Sequence, residues 1–499
     1  MDPKYFLKRY IEDTGSTWYK PDAKTYNIFK KAVARKVLVE ENGYFTLPEI
    51  KKEEEKIALY TVIKLNAFCK SYPHDLIELF IGLYEKEEGI TLDEWQKDAV
   101  HLGLNNNLFI LTGGPGTGKT CVLKCIFFCL KNILKTEDIL FTAPTGKAAR
   151  RITESVGVSA TTVAKALRLT SENTTPNKLN NDVVIVDEVS MLDTKTAKAL
   201  FEATLNSKLI LVGDVEQLPS VGYGSVLRDL IDAGVPCTKL EKTFRQASES
   251  GLFANIEQIK LGLHLGFIKR DDFKVLNASS TEEAKELMVN EFLKAVEKYG
   301  LDQVVCLTPF RKKGAACAIA LNRILQDKIN PRNGQNYVTY KTHEEDGFEY
   351  LIELREGDPV MQLVNAQKVA NGDVGYVKEI NLEKRRVIVS FTDEEVVYRP
   401  NQLGQITLSY AMSVHKSQGS EYACVITSSI EADLAMLSRN TIYTAVSRAK
   451  KECVVITEGS VAHEACKRES GYERLTRLCE EIKYQNLKLK AKLLFCQAT

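Results

Sequence analysis

Residues 113–120 combine the residue types that hold phosphate groups. Their sequence, GGPGTGKT, fits the pattern G-x-x-x-x-G-K-[ST]. Glycines let the backbone adopt positive φ values and turn its N–H groups toward phosphate oxygens. Lys119 is expected to reach the β- and γ-phosphates of a nucleoside triphosphate, and Thr120 is expected to ligand Mg²⁺. A dinucleotide-binding loop is the competing interpretation, but G-K-T does not fit it. The predicted nucleotide-binding residues are Gly114, Pro115, Gly116, Thr117, Gly118, Lys119 and Thr120.

Two further apolar runs end in polar residues that suit the same chemistry. The run 183–186 is followed by Asp187 and Glu188, and the run 208–212 leads into a segment that contains Gln217. An aspartate at the end of a buried strand beside a phosphate loop can hold Mg²⁺, and the next glutamate can orient and deprotonate the attacking water. The Gln217 amide is placed where it can sense the γ-phosphate or that water.

The elements that must position these residues are strands and helices in alternation. An apolar, β-prone run at 108–111 precedes the phosphate loop, and the segment 121–134 after it can run as a helix. Buried strands separated by segments of helix length indicate a parallel sheet that is covered on both faces. The predicted fold class is therefore α/β.

Composition narrows the class of protein further. A length of 499 residues favours two to four domains, and a net charge of +1 means that nucleic-acid binding must come from local patches. The sequence contains no run of about 18 apolar residues, so it predicts no membrane span. The N-terminus has no apolar export segment. Twelve cysteines without paired spacing predict reduced thiols in the cytoplasm or nucleus. Cys121, Cys125 and Cys129 share a helix face, where an iron–sulfur or zinc site competes with buried packing, which we favour.

Eight stretches outside the phosphate loop carry a resemblance to a known family. They are FTAPTGKAARRITE (141–154), VVIVDEVSMLD (183–193), LVGDVEQLPSVGYGSVLRDLI (211–231), LEKTFRQ (240–246), VVCLTPFRKKGAACAIALNRILQDKINP (304–331), GDPVMQLVNAQKVANGDVGYV (357–377), ITLSYAMSVHKSQGSEYACVI (406–426) and NTIYTAVSRAK (440–450). Together they span roughly residues 90 to 457, and their order resembles that of superfamily 1 DNA helicases of the RecD-like branch. Members of that branch move 5′ to 3′ along single-stranded DNA.

The resemblance implies two RecA-like P-loop NTPase motor domains that hold ATP between them, with a small SH3-like β-barrel insertion and an N-terminal helical, winged-helix-like domain. The implied boundaries are 1–88 for the N-terminal accessory domain, 89–240 for the first motor domain, 241–334 and 404–458 for the second, 335–403 for the insertion and 459–499 for a C-terminal helical tail. A short pin is expected near 167–182. It has turn-forming residues and no aromatic side chain, so strand separation is expected to be weak or to use another element.

The resemblance also implies roles for residues in the nucleotide site. Arg245, in T-F-R-Q, and Arg448, in V-S-R-A-K, match the arginine fingers of the family. Gln96 matches the glutamine that reads the adenine edge, and Gln217 matches the γ-phosphate sensor. Glu421 matches a glutamate that contacts the nucleotide sugar or couples the site to DNA.

Contacts to DNA are implied in short loops of both motor domains. The matching residues are Pro144, Thr145, Lys147, Thr162, Tyr223, His415, Lys416, Ser417 and Gln418. The loop at Thr162 departs from the family, which usually has histidine where this chain has Ala164. Tyr223 stands where proline is more common, and it either stacks on a base or packs beneath its loop.

The resemblance therefore implies an ATP-dependent 5′→3′ single-stranded DNA translocase and helicase that unwinds duplex DNA. Its expected cofactors are ATP and Mg²⁺, and its expected partners are single-stranded DNA and tailed duplex DNA, with no membrane. Two alternatives remain open at this point. One is a non-motor, NTP-dependent regulatory subunit of a nuclease or recombination complex, and the other is an RNA helicase.

Overall fold

The computed structural model describes residues 2–170, 175–242, 250–263, 266–311, 316–343, 349–366, 369–392, 394–468 and 474–498. The chain folds into two compact units, which we call unit 1 and unit 2. Unit 1 comprises Met1–Pro144, Ala149–Arg245 and Tyr472–Thr499. Unit 2 comprises Thr145–Ala148 and Gln246–Gly471.

Unit 1 begins with helices around one short hairpin. Its elements are α1 (Pro3–Thr14), α2 (Tyr26–Ala34), β1 (Val39–Glu41), β2 (Tyr44–Thr46), α3 (Pro48–Asn66), α4 (His74–Glu88) and α5 (Glu94–Asn105). Strands β1 and β2 pair antiparallel across a two-residue turn. Asn42 and Gly43 in that turn have φ values of 52° and 82°. Tight hairpin turns of this kind need positive φ at both central residues, which Asn-Gly provides.

The rest of unit 1 is built on one six-stranded parallel sheet. Its elements are β3 (Leu108–Gly113), α6 (Lys119–Cys129), β4 (Ile139–Ala143), α7 (Gly146–Val156), β5 (Ala160–Thr162), α8 (Val163–Ala166), β6 (Val183–Val186), α9 (Thr194–Ala203), β7 (Lys208–Gly213), α10 (Val226–Asp232) and β8 (Cys237–Leu240). The strand order is β5-β4-β6-β7-β3-β8. Every residue of β3 and β6 is buried, as expected for strands covered on both faces.

The connection between α8 and β6 was expected to hold a short hairpin. Its described residues, 167–170 and 175–182, contain no strand. The Asn177 backbone N–H donates to the Leu167 carbonyl oxygen at 2.9 Å, which brings the two described parts of the segment together. The hairpin is therefore not found in the part of this segment that the structure describes.

Unit 2 contains a second parallel sheet and a group of antiparallel strands. Its elements are α11 (Gly251–Lys260), β9 (Phe273–Ala278), α12 (Thr281–Tyr299), β10 (Val304–Thr308), α13 (Ala318–Ile329), β11 (Tyr337–His343), β12 (Glu349–Arg355), β13 (Pro359–Gln362), β14 (Val374–Asn381), β15 (Arg386–Phe391), β16 (Glu395–Tyr398), β17 (Ile406–Leu408), β18 (Ala411–Ser413), β19 (Tyr422–Ser429), α14 (Arg439–Val446), β20 (Ala449–Glu458) and α15 (Val461–Lys467). The parallel sheet has the order β18-β10-β19-β20-β9. The two parallel sheets confirm the predicted α/β class.

The antiparallel strands of unit 2 form the small β insertion that the sequence indicated. A five-stranded antiparallel sheet has the order β16-β15-β14-β13-β17, and β11 pairs with β12 as a separate hairpin. Strand β17 lies beyond the expected end of the insertion at residue 403. The insertion therefore takes its last strand from the chain segment that leads back into the parallel sheet.

The junction between these two sheets of unit 2 is held by one buried amide. Asn322, on α13, donates to the carbonyl oxygens of Leu408 at 3.2 Å and Ala411 at 2.9 Å, and it accepts the Ala411 N–H at 2.8 Å. The Tyr410 hydroxyl in the same junction donates to Asp358 at 2.9 Å. The Asn322 side chain thus satisfies backbone groups at the end of β17 and at the start of β18 and holds the two strands together.

The C-terminal segment is divided between the two units. Helix α15 belongs to unit 2, whereas α16 (Leu478–Ala498) packs against α3 and α10 in unit 1. Leu478 and Ile482 are buried in the core of unit 1. Ahead of α16, the Arg474 guanidinium donates to the carbonyl oxygens of Gly222 and Gly224 at 2.7 Å each. The expected tail 459–499 is thus part of both folded units.

Two further expectations concern the state of the cysteines and the presence of a membrane-spanning helix. Cysteines in the described part of the chain are free thiols, and Cys125 and Cys129 are buried on the core side of α6. Packing, which the sequence favoured over a metal site for this helix face, is what the structure shows there. Among the described residues, no helix has the length and apolarity needed to cross a lipid bilayer.

A buried carboxyl group in unit 1 gives the fold a specific pH dependence. Glu54 is 3% exposed and accepts hydrogen bonds from the Thr17 hydroxyl at 2.6 Å and the Trp18 indole N–H at 2.7 Å. Burial raises the pKa of Glu54 from 4.5 to about 7, and the hydrogen bonds oppose that rise only in part. The protonated form is therefore the one that folding favours.

We expect the Glu54→Gln variant to lose much of this pH dependence. A raised folded-state pKa means that the contribution of Glu54 is complete below pH 4.5 and is lost as the pH rises through 7. The wild-type free energy of unfolding should fall by about 3 kcal/mol more than that of Glu54→Gln between about pH 5 and pH 8. Urea unfolding at each pH, followed by the fluorescence of the tryptophans, Trp18 among them, measures this free energy of unfolding. Glu55→Gln, an exposed neighbour on α3, is the control, and equal slopes for Glu54→Gln and the wild type would contradict the prediction.

Candidate functional site

The phosphate loop lies between β3 and α6 in unit 1. Strand β3 is buried along its whole length, so it fixes the start of the loop at the carboxyl edge of the sheet. Gly116 and Gly118 have φ values of 75° and 88°, a region in which a side chain is strained. Helix α6 starts directly after Gly118, and the N–H groups of its first turn therefore border the loop. This is the backbone geometry that cradles a phosphate group.

The Lys119 side chain lies inside this loop. Its Nζ donates to the carbonyl oxygens of Gly113 at 2.6 Å and Gly114 at 2.8 Å. Burial lowers the pKa of Lys119, while the negative charges of Asp214 and Glu188 oppose that effect. Phosphate oxygens can replace the two carbonyl oxygens as partners of this ammonium group and would compensate its charge more strongly.

A pair of carboxylates stands at the end of β6, as the sequence predicted. The Glu188 N–H donates to Asp187 Oδ1 at 2.8 Å, and Glu188 has a φ of 54°, which is uncommon for a residue with a side chain. Burial, together with the neighbouring charge of Glu188, raises the pKa of Asp187 to about 6. Two acidic groups that repel each other in a buried place fit a divalent cation, which would neutralise them.

Strand β7 brings a third polar segment to the same edge of the sheet. Asp214 and Gln217 follow this strand and are 2% and 7% exposed. The Gln217 N–H donates to the Asp214 carbonyl oxygen at 3.3 Å, and the Asp214 carboxylate accepts the Glu216 N–H at 3.0 Å. Strands β6, β7 and β3 are consecutive neighbours in the sheet. Their carboxyl ends therefore gather the candidate catalytic residues of unit 1.

Gln96 and Thr120 flank the loop on either side. Gln96 shares a capping box with Asp93 at the start of α5, and its Nε2 donates to the Thr117 carbonyl oxygen at 3.2 Å. The side chain predicted to read adenine is thus fixed against the phosphate loop. Thr120 is exposed in the first turn of α6, where its hydroxyl is open to a ligand.

The structure adds Arg151 to this site, which the sequence reasoning did not single out. Its Nη1 lies 3.9 Å from Glu188 Oε1, and its positive charge opposes part of the rise in the pKa of Asp187. Arg151 projects from α7, two turns beyond the loop after β4. The paired arginines of A-A-R-R-I were visible in the sequence, but only the folded sheet brings one of them to the β6 carboxylates.

The residues matched to arginine fingers belong to other parts of the chain. Arg245 lies outside the described residues. Arg448 lies in unit 2, is 3% exposed and donates to the carbonyl oxygens of Thr444 and Ser420, both at 3.3 Å, and to the Ser447 hydroxyl at 3.4 Å. These distances are at or beyond the long end of ordinary hydrogen bonds, so the guanidinium is held weakly.

Glu421 lies in the same unit as Arg448. Its carboxylate pairs with Lys450 at 3.1 Å. Glu421 therefore has a cationic partner within unit 2, and the sequence alone did not identify Lys450 as that partner.

The first group of expected DNA contacts lies after β4 and β5. Pro144, Thr145 and Lys147 are at the carboxyl end of β4 and the start of α7. The Thr162 hydroxyl oxygen accepts the Lys165 N–H at 3.2 Å and caps α8. Thr162 thus has a structural role in its loop, whatever it contributes to DNA binding.

The second group surrounds a short 3₁₀ turn, Val414–Ser417, in unit 2. His415 and Lys416 are half-buried there, and Gln418 is buried. Lys416 Nζ donates to Asn371 of the β insertion at 2.8 Å, and burial lowers the Lys416 pKa. Ser417 is fully buried, and its hydroxyl donates to the Val414 carbonyl oxygen at 2.7 Å. The Ser417 hydroxyl thus stabilises the turn, and its expected contact with DNA stays a prediction.

Tyr223 packs against other residues of unit 1. Its hydroxyl donates to Glu53 on α3 at 2.8 Å, and its ring packs against the apolar cluster of the N-terminal helices. The structure thus shows packing beneath the loop, and stacking on a base stays a prediction. The partner Glu53 lies 170 residues earlier in the chain, so no local pattern indicated the contact.

Three family models match the chain. An AAA domain matches residues 96–223, and a UvrD-like helicase C-terminal domain matches residues 408–456. The SH3 domain of ATP-dependent RecD-like DNA helicases matches residues 321–391. The first match covers the nucleotide site, and the third overlaps the β insertion of unit 2.

Two curated proteins illustrate the relatives of the chain. The ATP-dependent RecD2 DNA helicase of Deinococcus radiodurans is 33% identical over 419 residues, which are 82% of this chain and 54% of that protein. The RecBCD enzyme subunit RecD of Mycolicibacterium smegmatis is 28% identical over 414 residues, which are 76% of this chain and 73% of that protein. The chain thus spans about half the length of the first relative and about three quarters of the second.

Solved structures with a related arrangement include the Pif1 helicase from Bacteroides in complex with ADP-AlF3 and single-stranded DNA. It is 19% identical, with a TM-score of 0.47, and the match covers 77% of this chain and 96% of that one. The Pif1 helicase from Candida albicans is 18% identical, with a TM-score of 0.46 and coverage of 80% and 100%.

Proposed function

The chain belongs to the RecD-like family of superfamily 1 helicases, and on that premise we propose that it is an ATP-dependent translocase and helicase that moves 5′ to 3′ on single-stranded DNA. The observation that carries this proposal is the complete hydrolytic set at one edge of the unit 1 sheet. Lys119, Asp187, Glu188 and Gln217 follow neighbouring strands there. An inactive nucleotide site would not need to keep all four.

ATP and Mg²⁺ are the proposed cofactors of this site. The loop around Lys119 takes the phosphates, and Gln96 takes the adenine edge. Thr120 and Asp187 would hold Mg²⁺, which neutralises charge on the transferring phosphoryl group when it is bound. Glu188 orients the attacking water and accepts its proton.

The proposed arginine fingers complete the hydrolytic site. Arg245 and Arg448 supply guanidinium groups to the charge that develops on the phosphoryl group. The weak internal hydrogen bonds of Arg448 support this role, because little is lost when its guanidinium changes partners. Glu421 is proposed to couple the nucleotide site to DNA.

Single-stranded and tailed duplex DNA are the proposed substrates. Thr145, Lys147, His415 and Lys416 are the residues proposed to contact the phosphate backbone. Such contacts give little sequence preference and a strong dependence on salt. The loop found in the described residues of 167–182 supports weaker strand separation than translocation. The free thiols of the described cysteines support a reducing compartment, the cytoplasm or nucleus.

Duplexes with a single-stranded tail on one side test the polarity. We expect ATP-dependent strand displacement from a 5′-tailed duplex and none from a matched 3′-tailed duplex. Equal activity on the two substrates would contradict the 5′→3′ proposal. In parallel, stimulation of hydrolysis by single-stranded DNA should exceed stimulation by RNA of the same sequence.

The alternatives make different predictions in the same assay. A non-motor regulatory subunit would bind nucleotide with little DNA-stimulated hydrolysis. An RNA helicase would reverse the preference between the two nucleic acids. Neither alternative accounts as well for the intact hydrolytic set together with the matched RecD-like SH3 domain.

A further inference from the structure

Three side chains that the sequence gave no role converge on one place in unit 1, outside the phosphate loop. His74 and Glu78 are four residues apart on α4, which places them on the same helix face. His101 projects toward them from α5. One ligating atom from each of the three lies within 4.8 Å of the others.

The contacts among these side chains show that they already interact. His101 Nε2 lies 2.7 Å from Glu78 Oε1. The rings of His74 and His101 are stacked, with centroids 4.4 Å apart and planes inclined by 18°. Two imidazoles and a carboxylate are therefore assembled from two helices before any ion is considered.

This donor set has a definite metal preference. Imidazole nitrogen together with a carboxylate oxygen suits Zn²⁺ and neighbouring divalent transition metals, and it is poorly suited to Mg²⁺ or Ca²⁺. Ligand atoms about 2.0–2.2 Å from a tetrahedral ion lie about 3.3–3.5 Å from one another. Metal binding therefore requires the 2.7 Å contact between His101 and Glu78 to open, and the ligand atoms, which lie within 4.8 Å of one another, to adjust to this spacing. The exposure of His74 and Glu78 allows this. The His74 side chain is 74% exposed and that of Glu78 is 33% exposed.

The surrounding charges are compatible with a bound cation. Lys97 Nζ lies 3.8 Å from Glu78 Oε2, but it also lies 3.9 Å from Glu85 Oε1, so its charge is shared between two carboxylates. Asp75 Oδ1 lies 3.8 Å from His74 Nδ1 and adds negative charge at the rim. Carboxylates thus outnumber the lysine around the two histidines.

We propose that His74, Glu78 and His101 form a binding site for a divalent transition metal of the Zn²⁺ type. Three protein ligands leave a fourth position for water, and the ion joins α4 to α5. The site is independent of the proposed motor function, because none of its ligands belongs to the nucleotide site.

Helices α4 and α5 also contact the elements that form the nucleotide site. Helix α5 carries Gln96, which contacts the phosphate loop, and α4 carries Tyr84, whose hydroxyl donates to the Cys121 carbonyl oxygen of α6 at 3.2 Å. A metal ion bound between α4 and α5 therefore restrains two helices that contact the nucleotide site. Binding to the folded chain alone must also raise its thermal stability.

Cobalt titration of the full chain, after removal of metal with a chelator, tests the proposal. We expect about one equivalent of Co²⁺ to bind with the visible absorption of nitrogen and oxygen ligands and without a thiolate-to-cobalt band. Replacing either histidine, in His74→Ala or His101→Ala, should abolish this absorption. His463→Ala, on α15 of unit 2, is the matched control and should leave it intact. His74 is so exposed that its replacement does not threaten the fold.

A second measurement separates this cluster from the cysteines. Zn²⁺ should raise the thermal midpoint of the wild type and of His463→Ala but not that of His74→Ala. Equal cobalt binding by the wild type and His74→Ala would overturn the proposal. It would also be overturned if the wild type showed only the thiolate band, since the metal would then be held by cysteines.

Discussion

Replacing Lys119 with alanine should lower DNA-stimulated ATP turnover by about 10²- to 10³-fold or more while leaving the affinity for single-stranded DNA unchanged. The side chain lies within the loop, 2.6 and 2.8 Å from the carbonyl oxygens of Gly113 and Gly114, where a γ-phosphate would meet it. No other residue of the loop carries a positive charge to the phosphates. Phosphate release measures turnover, and fluorescence anisotropy of labelled DNA measures binding.

A neighbouring lysine provides the control for this experiment. Lys124 lies on α6, beyond the phosphate loop, and Lys124→Ala removes the same charge without removing the phosphate partner. Lys124→Ala should keep turnover near the wild-type rate. If Lys119→Ala retained comparable turnover, the assignment of the nucleotide site would be wrong.

Arg448→Ala should reduce kcat on the order of 10³-fold with little change in nucleotide affinity. The guanidinium stabilises charge that develops only as the phosphoryl group transfers, so its loss affects the transition state more than the bound ground state. Its hydrogen bonds within unit 2 are 3.3–3.4 Å long, so their loss costs little stability. Steady-state hydrolysis and binding of a fluorescent nucleotide separate kcat from affinity.

The matched control is a nearby guanidinium of unit 2 with a purely structural contact. Arg439 Nε, on α14, donates to the Cys466 carbonyl oxygen at 2.8 Å. Arg439→Ala should lower the thermal midpoint without a large effect on kcat. Equal kcat values for the two variants would remove Arg448 from the proposed hydrolytic machinery.

Local chemistry explains why much of the nucleotide site was predictable. The phosphate loop, the Asp187-Glu188 pair and Gln217 each follow a short apolar run, and such runs become buried strands in a parallel sheet. Because the carboxyl ends of parallel strands meet at one edge, sequence spacing was enough to bring these residues together. The hairpin at Asn42-Gly43 was predictable for the same reason, since its turn chemistry is local.

Contacts between distant segments explain what could not be predicted. Tyr223 meets Glu53 from α3, and Lys416 meets Asn371 of the β insertion, and neither pair leaves a local signature. Arg151 reaches Glu188 only after the sheet has formed. Burial is equally non-local, as Glu54 shows: its surroundings on α3 look charged and solvated in the sequence, yet it lies beneath Trp18.

The clusters outside the motifs show the same limit. His74 and His101 were indistinguishable from ordinary surface histidines, because their relation depends on how α4 packs against α5. The hydrogen-bond partner of Ser417 was equally hidden, since its hydroxyl donates within a 3₁₀ turn. Sequence reasoning thus located strand-end chemistry well and side-chain partners poorly.

The amide of Asn322 has a mechanical consequence for unit 2. Only Ser409 and Tyr410 lie between β17, the last strand of the antiparallel sheet, and β18, an edge strand of the parallel sheet. Because the Asn322 side chain bonds to the end of β17 and to the start of β18, we expect the insertion to have little freedom to rotate about this connection. We therefore expect a force applied to the insertion to be transmitted through β17 to the parallel sheet.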